Sequence, residues 1–216
     1  MTRQEIMERF NEFPIYGITA EAASNGRKNI DVVTAMLRAG IRFIQYREKT
    51  KSALARYEEC LQIRRLTRDF GAALIIDDFV DLALAVEADG VHIGQEDLPP
   101  QTVRRLVGDN MVIGLSTHSP LQLAAANKLK TVIDYVGIGP VFATKTKATA
   151  KPVGFDYVEY AAQNSSVPFV AIGGIKEENI FDVWEHGARI FAVVTDITQA
   201  EDIEQKIQNL IKKLKK

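Results

Sequence analysis

The sequence predicts an α/β fold, a single (β/α)8 TIM barrel with a short N-terminal helical extension. Three observations predict it. Eight short apolar runs recur along the chain, each followed by a stretch with helical period. The runs are nearly continuous in apolar residues rather than alternating, as strands covered on both faces are. Eight such units in 216 residues is the count for a compact barrel. A doubly wound open sheet is the competing architecture, but it rarely needs an eighth equivalent unit.

The elements follow in order. The start, MTRQEIMERFNEF, is amphipathic and predicts the helical extension over 1–13. IYGITA (15–20) is strand one, before the helical NIDVVTAMLRAG. FIQYRE (43–48) is strand two, before SALARYEECLQIRRLTRDFG, and ALIIDD (73–78) is strand three, before FVDLALAVEA. GVHIGQ (90–95) precedes PPQTVRRLVGD, and MVIGLSTH (111–118) precedes SPLQLAAANKLK. YVGIGPVF (135–142) leads through a polar loop to FDYVEYAAQN. PFVAIGGI (168–175) precedes KEENIFDVWEHGA, and RIFAVVTDI (189–197) precedes EDIEQKIQNLIKKLKK. Helices ending at Gly40, Gly71 and Gly187 use a common helix stop.

The bulk composition narrows the function. Of the residues 46% are apolar and 25% charged, with 27 basic against 28 acidic side chains, an ordinary globular balance. A net charge of -1 predicts no nucleic acid partner and no membrane partner, so any anion site must be local and built by folding. The single cysteine, Cys60, excludes an intrachain disulfide and a cysteine zinc cluster. No apolar run approaches the roughly 20 residues that span a bilayer. The start lacks the apolar core of a secretion signal, which predicts a cytoplasmic location. No linker divides the chain, so one domain over 1–216 is expected; a homo-oligomer is left open. The longest irregular stretch, ATKTKATAKPVG (143–154), is expected to be an active-site loop with a lid-like role. The closing KKLKK complements the dipole of the last helix.

Barrel active sites sit at the C-terminal ends of the strands, and those ends are where the polar residues gather. FIQYREK finishes an apolar strand in Arg47, Glu48 and Lys49. Side chains two apart on a strand share a face, so Gln45, Arg47 and Lys49 point the same way. Strand three ends in Asp77 and Asp78, and Gln95 and Asp97 follow strand four. Ser116, Thr117 and His118 end strand five, and Thr144, Lys145, Thr146 and Lys147 follow strand six. Strand seven ends in Gly173-Gly174 and strand eight in Val194, Thr195 and Asp196. The opposite strand ends, Ala73, Gly90, Met111, Tyr135 and Arg189, are mostly small or apolar.

Two anion sites emerge. Asp78 and Asp97, on adjacent strands, suit one Mg²⁺ ion, which is typically held by one or two carboxylates together with substrate phosphates. Arg47, Lys49 and Lys147 then take the remaining phosphate charge, Arg as a bidentate fork and Lys as a point charge. AIGGI and VVTDI match the barrel's usual phosphate site after strands seven and eight. Two phosphorylated ligands joined in one reaction, or one ligand phosphorylated at both ends, would fill this rim.

QYREK, LIIDDFVDLALAVEADGVHIGQEDLP, IGLSTHS, DYVGIGPVFATKTK and VAIGGI resemble the thiamine phosphate synthase family, in order from about residue 14 to residue 197. The resemblance implies a barrel that condenses a hydroxymethylpyrimidine diphosphate with a thiazole phosphate, using one Mg²⁺ ion per active site. It implies that Gln45, Arg47 and Lys49 contact the pyrimidine diphosphate, joined by Ser116 and Lys147, with Asp78 and Asp97 as metal ligands. Arg47, Lys49, Ser116 and Lys147 would be the catalytic set. Tyr46, Glu48, Asp77 and Lys145 fall in the same motifs and join the substrate-binding set. Thr144 and Thr146 would contact the thiazole phosphate, whose phosphate Gly174, Val194 and Thr195 bind largely through the backbone. Three positions depart from the family pattern. Asp77 stands where Asn is usual, Thr195 where Ser is common, and Ala143 in place of a frequent Pro.

Plainer roles compete at several residues. His92, in mid-strand, is expected to be a hydrogen-bonded interior residue, and His186 to be solvated or capping. His118 is a candidate acid–base group, because the related thiazole tautomerase uses a histidine in this motif. Asp78 suits a helix N-cap. Cys60 and Trp184 read as packing. Besides the synthase, a thiazole tautomerase and a non-catalytic barrel that senses thiazole phosphate or thiamine phosphate stay open.

Overall fold

The structure is a computed structural model that describes residues 1–144 and 151–215. Eight parallel strands close into a barrel in chain order. They are β1 (Ile15–Ile18), β2 (Phe43–Tyr46), β3 (Ala73–Asp77), β4 (Gly90–Ile93), β5 (Val112–Thr117), β6 (Tyr135–Ile138), β7 (Phe169–Ile172) and β8 (Phe191–Ala192). The ring shuts where Ile15 and Tyr16 pair with Phe191 and Ala192. Helices α1 (Arg3–Glu12), α2 (Asn29–Arg38), α3 (Ala53–Asp69), α4 (Val80–Ala85) and α5 (Pro100–Val107) belong to the first half. The second half adds α6 (Pro120–Asn127), α7 (Gly154–Asn164), α8 (Ile180–Glu185), α9 (Thr195–Thr198) and α10 (Ile203–Leu214). Among the described residues no helix is long and apolar enough to cross a membrane.

One segment departs from the sequence pattern. RIFAVVTDI reads as a strand to residue 197, but β8 has only two residues and Thr195–Thr198 is helical. Val193 and Ile197 are both fully buried, so apolar content could not separate strand from helix. The backbone decides it: Ile197 N donates to Val194 O at 3.0 Å, closing a turn.

The pleat sorts each strand into two apolar cores. Ile44, Tyr46, Leu74, Ile76, Val91 and Ile113 pack outward with the helices. Tyr16, Ile18, Phe43, Ile75, Val112 and Tyr135 fill the barrel interior. The alternation is the period-two geometry of a strand, applied to one with no polar face. Along β2 it turns Phe43 and Gln45 inward, and Ile44 and Tyr46 outward.

The floor of the barrel is α1. Thr2 and Glu5 form a capping box, with Thr2 N donating to Glu5 Oε2 at 2.6 Å. Ile6 and Phe10, four residues apart, share one face and both enter the interior core. Phe10 stands edge-on to Phe43 at 5.1 Å and 4.7 Å from the Tyr135 ring centroid. Arg3 pairs with Asp134, which also takes Arg104 at 3.1 Å and Ile113 N at 2.8 Å. The helical extension is therefore a plug held by an apolar face and by charge.

Candidate active site

The C-terminal mouth of the barrel is built residue by residue from these strand ends. Arg47 follows β2, and its backbone N–H donates to Thr19 Oγ1 at 2.8 Å. Asp77, the last residue of β3, points inward and is 7% exposed. Lys49 Nζ lies 2.8 Å from Asp77 Oδ2, and the same ammonium pairs with Asp78. Arg47 Nε lies 3.6 Å from that Asp77 oxygen. Two cations and two carboxylates thus share one corner of the rim. The departure at Asp77 is balanced locally: its extra negative charge sits against Lys49 and Arg47.

Asp78 sits at φ 62°, in the left-handed region that L residues rarely occupy, at a cost of order 1 kcal/mol. Its N–H donates to His92 O at 2.8 Å, which ties the end of β3 to β4. It is not a helix cap: Phe79 occupies the N-cap position of α4, with no side-chain cap bond. The constraint leaves the Asp78 carboxylate on the rim. Asp97 is exposed, its Oδ2 accepting from Gly94 N at 2.7 Å just past β4. Both carboxylates therefore stand at the ends of one strand pair. Among the described residues no group of three His, Cys, Asp or Glu side chains could hold a metal alone. Two hard carboxylates suit Mg²⁺ when phosphate oxygens complete its shell.

A second part of the site lies inside the barrel. Gln45 Nε2 donates to Tyr16 OH at 2.9 Å. Ser116, on β5, has its Oγ 2.9 Å from His92 Nε2, and its carbonyl accepts from Gln95 Nε2 at 2.6 Å. His92 Nδ1 is 3.0 Å from Tyr135 OH. Burial pushes the His92 imidazole down to about 4, so the ring is neutral at physiological pH. His92 is thus the interior, hydrogen-bonded residue expected. His118 Nδ1 contacts Gly139 O at 2.5 Å, which holds the ring against the loop after β6. His186 follows α8, stacked on Phe155 at 4.0 Å.

On the far side, Gly173 and Gly174 follow β7, and Val194 and Thr195 follow its pairing partner β8. Both glycines have positive φ, at 101° and 65°. A Cβ at Gly173 would lie 2.3 Å from Pro140 Cβ, and one at Gly174 would lie 2.7 Å from Phe142 Cβ. Only glycine fits there, and its backbone is left open to approach. Phe142 N donates to Gly173 O at 2.9 Å, so the start of the loop that carries Thr144 rests on this turn. Lys145, Thr146 and Lys147 lie outside the described residues.

Two residues of the expected substrate set do not reach the site. Tyr46 faces outward, 1% exposed, and donates to Glu59 Oε2 of α3 at 2.6 Å. Glu48 is also buried, its Oε1 accepting from Glu21 N and Asn29 Nδ2, both at 2.9 Å. Lys51 closes the network on Glu59 at 2.8 Å and Glu21 at 2.6 Å. These groups clasp the loops after β1 and β2 from behind. The pleat that delivers Gln45 and Arg47 inward necessarily turns Tyr46 and Glu48 away. Tyr46→Phe is accordingly expected to cost about 1 kcal/mol in urea unfolding, with KM for each substrate changed less than about 2-fold. A several-fold rise in KM would return Tyr46 to the site. Sequence reasoning missed Tyr16 and Tyr135; their signal was an aromatic with a polar tip at an inward strand position.

The family profile described as Thiamine monophosphate synthase matches residues 15–197. The chain is 56% identical over 211 residues to the Thiamine-phosphate synthase of Pelotomaculum thermopropionicum, covering 97% of this chain and 96% of that one. It is 52% identical over 216 residues to the Thiamine-phosphate synthase of Caldicellulosiruptor bescii, covering 100% and 98%. Among solved structures, Thiamine phosphate pyrophosphorylase from Pyrococcus furiosus superposes with a TM-score of 0.84 at 32% identity, covering 96% of this chain and 98% of that one. The profile runs from the first residue of β1 into α9, spanning every strand of the barrel and both ends of the rim, and identity persists over whole chains: this chain belongs to the thiamine monophosphate synthase family.

Proposed function

We propose that the protein is a transferase joining a hydroxymethylpyrimidine diphosphate to a thiazole phosphate, with thiamine phosphate and pyrophosphate as products. The single observation that carries the reading is a rim with two unlike groups, each suited to an anion. One is cationic, with Arg47 and Lys49 against Asp77 and Asp78. The other is a backbone turn at Gly173-Gly174, with Val194-Thr195 after the paired strand β8.

The chemistry balances without an enzyme nucleophile. The bond from the pyrimidine methylene carbon to the diphosphate oxygen breaks, and its electron pair leaves with pyrophosphate. The amino group of the pyrimidine feeds electrons to the resulting cation. The thiazole nitrogen then supplies the pair for the new C–N bond. Arg47 and Lys49 neutralise the leaving group, Ser116 donates a hydrogen bond to it, and Gln45 orients the pyrimidine. Lys147 and Lys145 supply further charge, and Thr144 and Thr146 contact the thiazole phosphate. Asp78 and Asp97 would hold one Mg²⁺ ion, which adds positive charge beside the diphosphate.

A pyrophosphate-release assay tests this, run with both substrates and with each alone, in Mg²⁺ and in EDTA. Pyrophosphate and thiamine phosphate should form in equal amounts, and only with both substrates and the metal. Isomerised thiazole phosphate without pyrophosphate would overturn the reading in favour of a tautomerase. Substrate binding with no turnover would overturn it in favour of a sensor.

A further inference from the structure

Gln45 on β2 and Ser116 on β5 are joined by an unbroken run of hydrogen bonds, all buried except the last, which is partly buried. Gln45 Nε2 reaches Tyr16 OH at 2.9 Å, and Tyr16 OH reaches Tyr135 OH at 2.8 Å. Tyr135 OH reaches His92 Nδ1 at 3.0 Å, and His92 Nε2 reaches Ser116 Oγ at 2.9 Å. Tyr16, Tyr135, Gln45 and His92 are 1%, 0%, 3% and 8% exposed, so bulk water does not interrupt the run. Gly114 makes it possible, because a Cβ there would lie 2.2 Å from Tyr135 Cζ and 2.4 Å from His92 Nδ1.

The run has a direction. An amide nitrogen only donates, so Tyr16 accepts from Gln45, and within the run the acceptor for its own proton is Tyr135 OH. Tyr135 in turn spends its proton on His92 Nδ1. The neutral ring then carries its hydrogen on Nε2 and donates it to Ser116 Oγ. The hydroxyl proton of Ser116 is left for a group outside the run. Resting on the transferase reading above, we propose that His92 is a positioning residue: Tyr135 fixes it as the Nε2–H tautomer, and this holds Ser116 as a hydrogen-bond donor to the diphosphate. With the opposite tautomer, Nε2 would take the Ser116 proton and turn an oxygen lone pair toward the anion. A run that merely satisfied buried polar groups would be indifferent to this choice.

The first test is ¹⁵N NMR of histidine-labelled wild-type protein, where long-range ¹H–¹⁵N couplings distinguish the tautomers. The chain has three histidines, so a His92→Asn spectrum identifies the ring in question. The Nε2–H form is expected for His92 in the wild type, with Nδ1–H gaining in Tyr135→Phe. An Nδ1–H ring in the wild type overturns the proposal, and that spectrum needs no variant to fold. The second test is a double-mutant cycle. Ser116→Ala and Tyr135→Phe should each lower kcat about 10-fold, one oriented hydrogen bond, and the double variant no further than Ser116→Ala alone. Independent losses that multiply to about 100-fold would overturn the proposal. Failure of the transferase reading looks different: the wild type would form no thiamine phosphate, yet its His92 tautomer and the response to Tyr135→Phe would be as expected.

Discussion

Replacing Lys49 by Ala is expected to lower kcat about 10²–10³-fold, the usual cost of removing one preorganised group that stabilises developing charge. Arg47→Ala is expected to do the same. Both cations stand over Asp77, at 2.8 Å and 3.6 Å, so in the free protein their charge is pre-positioned and partly spoken for. When a diphosphate arrives, it competes with the carboxylates for the same groups. The fold should lose only part of its stability. The Lys49 side chain is 40% exposed, but Asp77 beneath it is buried and keeps Arg47 at 3.6 Å, so a cost of about 1–3 kcal/mol is expected. Steady-state kinetics with both substrates, paired with circular dichroism melts, separates the two effects. Full activity, or loss of activity through unfolding alone, would remove Lys49 from the assigned role.

The largest stability effect is expected far from that rim. Phe10→Ala should destabilise the protein by about 3–5 kcal/mol, the range for truncating a buried aromatic side chain. Phe10 is 1% exposed and touches the rings of Phe43, Tyr135 and Tyr16. The cavity left would open beneath the interior core, where strands from opposite sides of the barrel meet and cannot collapse inward. Urea unfolding measures the loss directly. A loss below about 1 kcal/mol would mean that α1 does not plug the barrel as described.

The sequence was most legible where the physics is local. An apolar run such as ALIID, covered on both faces, identifies itself as a buried strand without reference to any other segment. The polar tails of these runs also point to the rim, because chain order alone fixes which end of a parallel strand faces the active side. Hence Arg47, Lys49, Asp77, Asp78 and Ser116 were nameable from the chain. The expectation was too generous at Tyr46 and Glu48, which share the FIQYREK motif but not its inward face. It was too uniform at RIFAVVTDI, where Ile197 is buried in a helix just as Phe191 is buried in a strand.

What the sequence by itself determined is therefore the set of eight units, their order and the end at which the charge collects. Each follows from periodicity within about ten residues, or from a motif read whole. Only the tertiary structure decided which residues face one another. Tyr16 and Tyr135 are 119 residues apart and meet because the ring closes between β1 and β8. The amphipathic start could have lain on any apolar surface; the barrel floor claims it because Ile6 and Phe10 match the opening there. Lys49 meets Asp77 and Asp78 because β2 pairs with β3 in one register, with Gln45 beside Ile75. Local pattern specifies an element, but closure and register specify its neighbours, and the site is made of neighbours.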